Sequence, residues 1–184
     1  GNLPIEIKLY GDWHKAIELV DNLGPSIKKG YDTAVNKFSK DLLKIVLFSI
    51  ATGTPPKGTG INWEPHSPIT TKKYGEHPIY YLTGTYYRAI GLFKYKDKTL
   101  VGLPKSKGRS SSGGITLGEL AKILEYGTGG RGGGKSSGTI PPRPLWNPAI
   151  NAVGGKDRLR SMIIKNIRKQ LYGFGIRANQ VRWR

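Results

Sequence analysis

The sequence contains no cysteine and a single methionine. Without cysteine there are no disulfides, no thiol nucleophiles and no thiolate metal sites. Acidic residues are scarce as well: 12 Asp and Glu stand against 30 Lys and Arg, a formal net charge of +18. The few carboxylates are scattered, and no pair of them suggests general acid/base work. The three histidines, His14, His66 and His77, lie far apart along the chain with no metal-ligand spacing. The serines gather in glycine-rich stretches, away from anything resembling a nucleophile elbow. No apolar run reaches the about 18 residues needed to span a bilayer, and no signal-peptide pattern opens the chain. These absences argue against an enzyme, a cofactor, a metal site and a membrane partner.

Glycine and aromatic residues, in contrast, are plentiful. The 184 residues include 26 Gly, 12 Pro, 10 Tyr and 4 Trp, with 37% hydrophobic residues overall. This balance predicts one folded domain over 1–184 with much of the chain in loops. The loop segments are 104–114 and 127–139, and a basic tail covers 173–184. The charge is graded along the chain: residues 1–50 carry 7 basic and 6 acidic side chains, residues 156–184 carry 9 and 1. A gradient of this kind suits a polyanion such as nucleic acid, or a charged subunit interface.

Taken in order, Ile5, Ile7 and Leu9 alternate with polar residues as in a half-buried strand. Asp12 caps a short helix with Trp13, Ile17 and Val20 on one face. Pro25 opens a second, longer helix from Ser26 to about Ala51, along which Ile27, Tyr31, Val35, Phe38, Leu42, Ile45 and Ser49 recur at three or four residues. The loop from Thr52 to Gly60 ends it. Trp63 is an anchor and Pro68 opens a short helical turn. The density of Tyr over 78–90 allows a strand, but Ile79, Leu82, Tyr86 and Ile90 keep helical spacing and favour a helix there. Residues 91–104 read as a hairpin turning at Asp97-Lys98, with Leu100 and Leu103 in the return strand. Thr116 and Glu119 form a capping box, and Gly127 stops the helix that follows. Asn147-Pro148 caps a further helical region, Gly154-Gly155 breaks it, and Leu159, Ile163, Ile167 and Leu171 stripe the last helix. The tail beyond it reads as unstructured.

One catalytic motif is formally present. Gly129–Ser136 satisfies the G-x-x-x-x-G-K-[ST] pattern of a phosphate-binding loop. That loop works between a buried strand and a helix; here a helix enters and a proline-rich segment leaves, in a stretch where glycine makes the match cheap. Contact with nucleic-acid backbone has more to support it. Lys105, Lys107, Arg109, Arg131 and Lys135 lie on the two loops and are candidate DNA-facing residues. Trp183 and Tyr172 are candidate stacking residues. No sequence-reading nucleic-acid motif is present. A sequence-independent DNA- or RNA-binding protein is therefore one reading of the chain.

The order of the motifs points to a second. Trp63, Pro65 and Thr70 are followed by Thr83-Gly84, Val101-Gly102, AKILEYGT at Ala121–Thr128, IPPRP at Ile140–Pro144, and Pro148-Ala149. Over residues 38–150 this series resembles the virion-morphogenesis, tail-completion and neck proteins of tailed bacteriophages. The chain departs from that pattern in its long glycine excursion, its LPKSKGRSSSGG insertion and its basic C-terminus. The resemblance implies an α+β fold, with a small antiparallel β-sheet packed against a long α-helix, extended loops and a C-terminal helix. It also implies a homo-oligomeric ring of six or twelve subunits at the head–tail junction or upper tail. Its partners would be other neck, connector and tail proteins, with genomic DNA passing through the lumen. The chain would be assembled in the host cytoplasm and reside in the virion. Tyr126, Gly127, Thr128, Ile140, Pro141, Arg143, Pro144 and Trp146 are the candidate subunit-interface residues, Arg143 being suited to a carboxylate or to backbone carbonyls.

Overall fold

The computed structural model describes residues 5–7, 13–95, 98–104, 115–128, 140–173 and 181–183. In chain order these form β1 (Ile5–Ile7), α1 (Trp13–Thr52), α2 (Pro68–Tyr74), α3 (Thr85–Ala89), β2 (Gly91–Tyr95) and β3 (Lys98–Gly102). Then come α4 (Leu117–Tyr126), α5 (Trp146–Ala152), α6 (Gly155–Tyr172) and β4 (Val181–Trp183). The fold is α+β: a long helix, a C-terminal helix and small antiparallel sheets. The contacts divide the chain into two compact units, one of residues 38–155 and one of residues 1–37 with 156–184. Among the described residues, no helix is long and apolar enough to cross a membrane.

In the 38–155 unit, the α1 residues Phe38, Leu42, Val46 and Ile50 are buried at spacings of four, the period of one helix face. Trp63, Tyr80, Tyr86, Ile90, Leu117, Leu124, Leu145, Ala149 and Val153 are buried in the same unit. Phe48, on the opposite side of α1, is half exposed, and the Lys57 ammonium lies 5.6 Å above its ring. Ser67 caps α2 by accepting from the Thr70 N–H, and Pro68 stands at its start.

The helix expected over 78–90 is confined to Thr85–Ala89. A turn (Tyr81 N–H to Pro78 carbonyl, 2.9 Å) and a left-handed Gly84 precede it. Tyr80 is buried where the helical spacing would bury Ile79 and Leu82, because its hydroxyl bonds a carbonyl from a distant segment. The hairpin forms with Gly91 opposite Gly102 and Tyr95 opposite Lys98. Lys98 thus belongs to a strand, not to the turn, and Leu103 lies past the strand end.

In the other unit, α1 continues through Pro25, where local rules separate two helices. A proline removes one intrahelical bond, and here Leu23 and Ile27, on either side of it, belong to one apolar cluster with α6, which favours a single rod. Leu23, Ile167 and Leu171 form a buried cluster with Ile27 and Ile163 packed against it. At Gly30 the two helices come so close that an added Cβ would sit 2.8 Å from the Ile167 Cα and backbone nitrogen. Residues 181–183, expected to be unstructured, pair antiparallel with β1, from Ile5 opposite Trp183 to Ile7 opposite Val181. A strand of three residues whose partner is at the other end of the chain leaves no local signal. Leu9 and Asp12 fall outside the described residues.

Gly30→Ala is therefore expected to destabilise the α1–α6 pair by about 1–3 kcal/mol, the usual effect of overpacking a tight contact. Urea unfolding measures it; an unchanged midpoint would show that the two helices separate freely.

Candidate functional site

The site is built on the C-terminal end of α4. The Thr116 hydroxyl accepts from the Glu119 N–H at 3.2 Å, and the Glu119 carboxylate accepts from the Thr116 N–H at 2.7 Å. The Thr116 N–H, and with it the Thr116 hydroxyl donating at 2.9 Å, holds the Glu119 carboxyl pKa below its usual value. The helix then stops at Gly127, whose N–H bonds the Ile123 carbonyl and whose φ of +72° suits glycine. A Cβ at Gly127 would also lie 2.6 Å from the Ile140 carbonyl oxygen. That proximity reflects a clasp: the Thr128 N–H donates to the Ile140 carbonyl at 2.9 Å, and the Ile140 N–H donates to the Thr128 hydroxyl at 2.8 Å.

From the clasp, residues 140–145 run back along α4 as a strap. Pro141, Pro142 and Pro144 keep it extended, and the Arg143 N–H donates to the Leu124 carbonyl at 2.7 Å. The Arg143 side chain is buried, with Nε donating to the Glu64 carbonyl at 2.8 Å and Nη2 to the Pro65 carbonyl at 3.0 Å. The guanidinium is thereby engaged within its own unit, by backbone carbonyls. In return the Trp63 indole donates to the Pro144 carbonyl at 2.9 Å, and the Tyr80 hydroxyl donates to the Arg143 carbonyl. Trp63, Tyr80 and Tyr86 stack in series, with ring centroids 5.1 and 5.3 Å apart.

Glu125 is the second buried charge. Its carboxylate accepts from the Leu145 N–H at 2.8 Å and the Trp146 N–H at 3.2 Å. It therefore caps α5, the role that local spacing assigns to Asn147; the helix begins one residue before Asn147, at Trp146. Sequence reasoning missed this because the cap comes from another helix rather than from the residue preceding α5. The negative charge sits against the positive end of a helix dipole. Burial chiefly, with Glu125 adding to it, pushes the Tyr80 and Tyr86 phenols well above their ordinary pKa, so both stay neutral. Burial lowers the Arg143 pKa, against the opposing pull of Tyr80 and Glu64.

The eight candidate interface residues divide between surface and core. Tyr126 is 72% exposed and Ile140 38%, whereas Arg143 is 4% exposed. Gly127 and Thr128 form the base of the clasp, and Pro141, Pro144 and Trp146 are half-buried. Two depressions flank the first turn of α5. One, of about 500 Å³, is lined by Gly58, Ile61, Pro144, Asn147 and Asn151. The other, of about 280 Å³, is lined by Ala121, Lys122, Tyr126 and Trp146. The five candidate DNA-facing residues, Lys105, Lys107, Arg109, Arg131 and Lys135, and the phosphate-loop pattern lie outside the described residues. No group of three or more potential metal ligands occurs among the described residues.

Folding also brings together two histidines that the sequence separates. His66 and His77 stack with ring centroids 4.2 Å apart. The His77 Nδ1 bonds the Gly75 carbonyl at 2.9 Å, and the His66 Nε2 is buried without a partner. Burial, His77 and Arg143 together lower the His66 pKa, against a backbone hydrogen bond to Pro78. Comparison of the chain with protein-family models, with curated proteins and with solved structures found no match.

Glu125→Gln should lower stability by about 2 kcal/mol, because an uncharged amide replaces the carboxylate facing two backbone donors. Thermal or urea unfolding reports it, and a neutral result would mean that water already shares those donors. The His66 pKa is depressed in the fold, so His66 stabilises fully above its unfolded value of 6.5 and loses that contribution as pH falls through the lower folded value. The urea midpoint should accordingly drop as the pH falls below 6.5, and His66→Gln should flatten this part of the profile.

Proposed function

We propose that this chain is a non-enzymatic structural subunit of a ring at the head–tail junction or upper tail of a tailed bacteriophage, surrounding the path of the DNA and joining head to tail. The observation that carries this reading is that the residues of the resemblance act as one mechanical unit. Trp63 and the Pro65 carbonyl from the first motif, Leu124 to Thr128 from the EYGT motif, and Ile140 to Pro144 from the IPPRP motif are all joined by direct hydrogen bonds. Three stretches with no local reason to be found together serve a single purpose: they hold a rigid strap at the end of α4.

The strap does two things useful to an assembling subunit. It leaves Tyr126 and Ile140 exposed, and aromatic residues are enriched where protein surfaces meet. It also closes the base of the 129–139 excursion with two hydrogen bonds, so that an insertion can vary without disturbing the core. A second copy of the chain, or a neighbouring neck, connector or tail protein, is the partner this reading gives to that surface. Residence in the virion and assembly in the host cytoplasm belong to the same proposal.

The test separates folding from assembly. Replacing 129–139 by two glycines, or Tyr126 by Ser, should leave the melting temperature of the isolated chain within a few degrees of the parent. Either change should reduce ring formation, seen by native mass spectrometry and negative-stain imaging, and the joining of heads to tails in complemented particles. Normal joined virions without the chain would refute the proposal.

A further inference from the structure

The last helix, α6, carries an exposed, basic face. Ser161, Lys165, Arg168, Lys169 and Tyr172 are all exposed, and their spacing places them on one side of the helix, opposite Ile163, Ile167 and Leu171. From Ser161 to Tyr172 this face extends about 16 Å. On α1 of the same unit, Lys28 is neutralised by Asp32 at 2.6 Å. Among residues 23–173 whose side chains are described, no carboxylate lies within ion-pair distance of Lys165, Arg168 or Lys169. Three cations within two helical turns repel one another, an arrangement that an anionic partner relieves. Tyr172 closes the face with a ring that is 55% exposed.

We infer that this face of α6 is a sequence-independent binding surface for nucleic acid, with Lys165, Arg168 and Lys169 on phosphates and Tyr172 stacked on an unpaired base. Two other anionic partners suit the surface less well. Insertion into an anionic membrane needs the apolar side of the helix, and that side is packed on Leu23 and Ile27 of α1. A protein interface centres on an apolar core and is depleted in lysine, whereas this face has two lysines, an arginine and no aliphatic anchor. Nucleic acid needs only closely spaced cations and a flat ring, and both are here. The surface stands apart from the assembly reading, because it shares no residue with the strap or with Tyr126.

The experiment is a salt titration of binding by the full chain, followed by fluorescence anisotropy with an oligo(dT) strand and with a duplex of the same length. Each neutralised phosphate contributes about 0.9 to the log–log slope on duplex and about 0.7 on a single strand. Lys165→Gln/Arg168→Gln/Lys169→Gln should therefore reduce the slope by about 2.7 and about 2.1 respectively. The charge-preserving Lys165→Arg/Arg168→Lys/Lys169→Arg should keep the parental slope. Tyr172→Ala should weaken oligo(dT) binding at least about five-fold, equivalent to one stacked base, and leave the duplex unaffected. Melting temperatures equal to the parent's establish that each variant is folded. A slope unchanged by the triple glutamine variant overturns the assignment. So does a triple variant that loses binding to polyglutamate or to anionic vesicles while keeping its nucleic-acid slope. Equal weakening of strand and duplex by Tyr172→Ala overturns the stacking role.

Discussion

A buried charge must find polar partners inside the protein, and in the 38–155 unit two side chains meet this requirement with backbone groups of distant segments. Glu125 takes the N–H groups that open α5, and Arg143 takes the carbonyls of Glu64 and Pro65. Leaving either group buried without its partners would cost several kcal/mol. Each bond therefore acts as a positional constraint: the loop at 63–65, the end of α4, the strap and the start of α5 must all arrive together. The Trp63 and Tyr80 bonds to the strap reinforce the same arrangement. The exposed positions of Tyr126 and Ile140 follow from it, since the strap has no alternative path once Arg143 is turned inward.

The unit formed by residues 1–37 and 156–184 works by a different principle. No buried charge pins α6 among its described core contacts; close approach at Gly30 and an apolar stripe hold it against α1. Because that stripe takes up only one side of α6, the other side is left to its cations. The charge gradient visible in the sequence thus becomes, on α6, a surface with a direction. One helix combines an apolar face that holds the fold with an exposed basic face.

Features with local causes were legible from the residues alone. The Thr116–Glu119 capping box, the stop at Gly127, the Pro68 start of α2, the break at Gly154-Gly155 and the hairpin over 91–102 each depend on residues within a few positions of one another, and each is present. The stripe Leu159, Ile163, Ile167, Leu171 was readable for the same reason. Local rules failed where a distant partner decided the outcome. Pro25 did not break α1, the segment 78–84 turned instead of coiling, and 181–183 formed a strand with the opposite end of the chain.

The sequence by itself determined the absence of cysteine chemistry, the C-terminal concentration of positive charge, the capping box and stop of α4 and the apolar stripe of α6. These follow from composition, periodicity and turn chemistry, which act over one or two turns of chain. Only the tertiary structure decided that Glu125 caps α5, that Arg143 is enclosed by backbone carbonyls, and that His66 lies on His77. The reason is physical: a buried polar group accepts whichever backbone group the packing delivers, and backbone groups are the same at every residue.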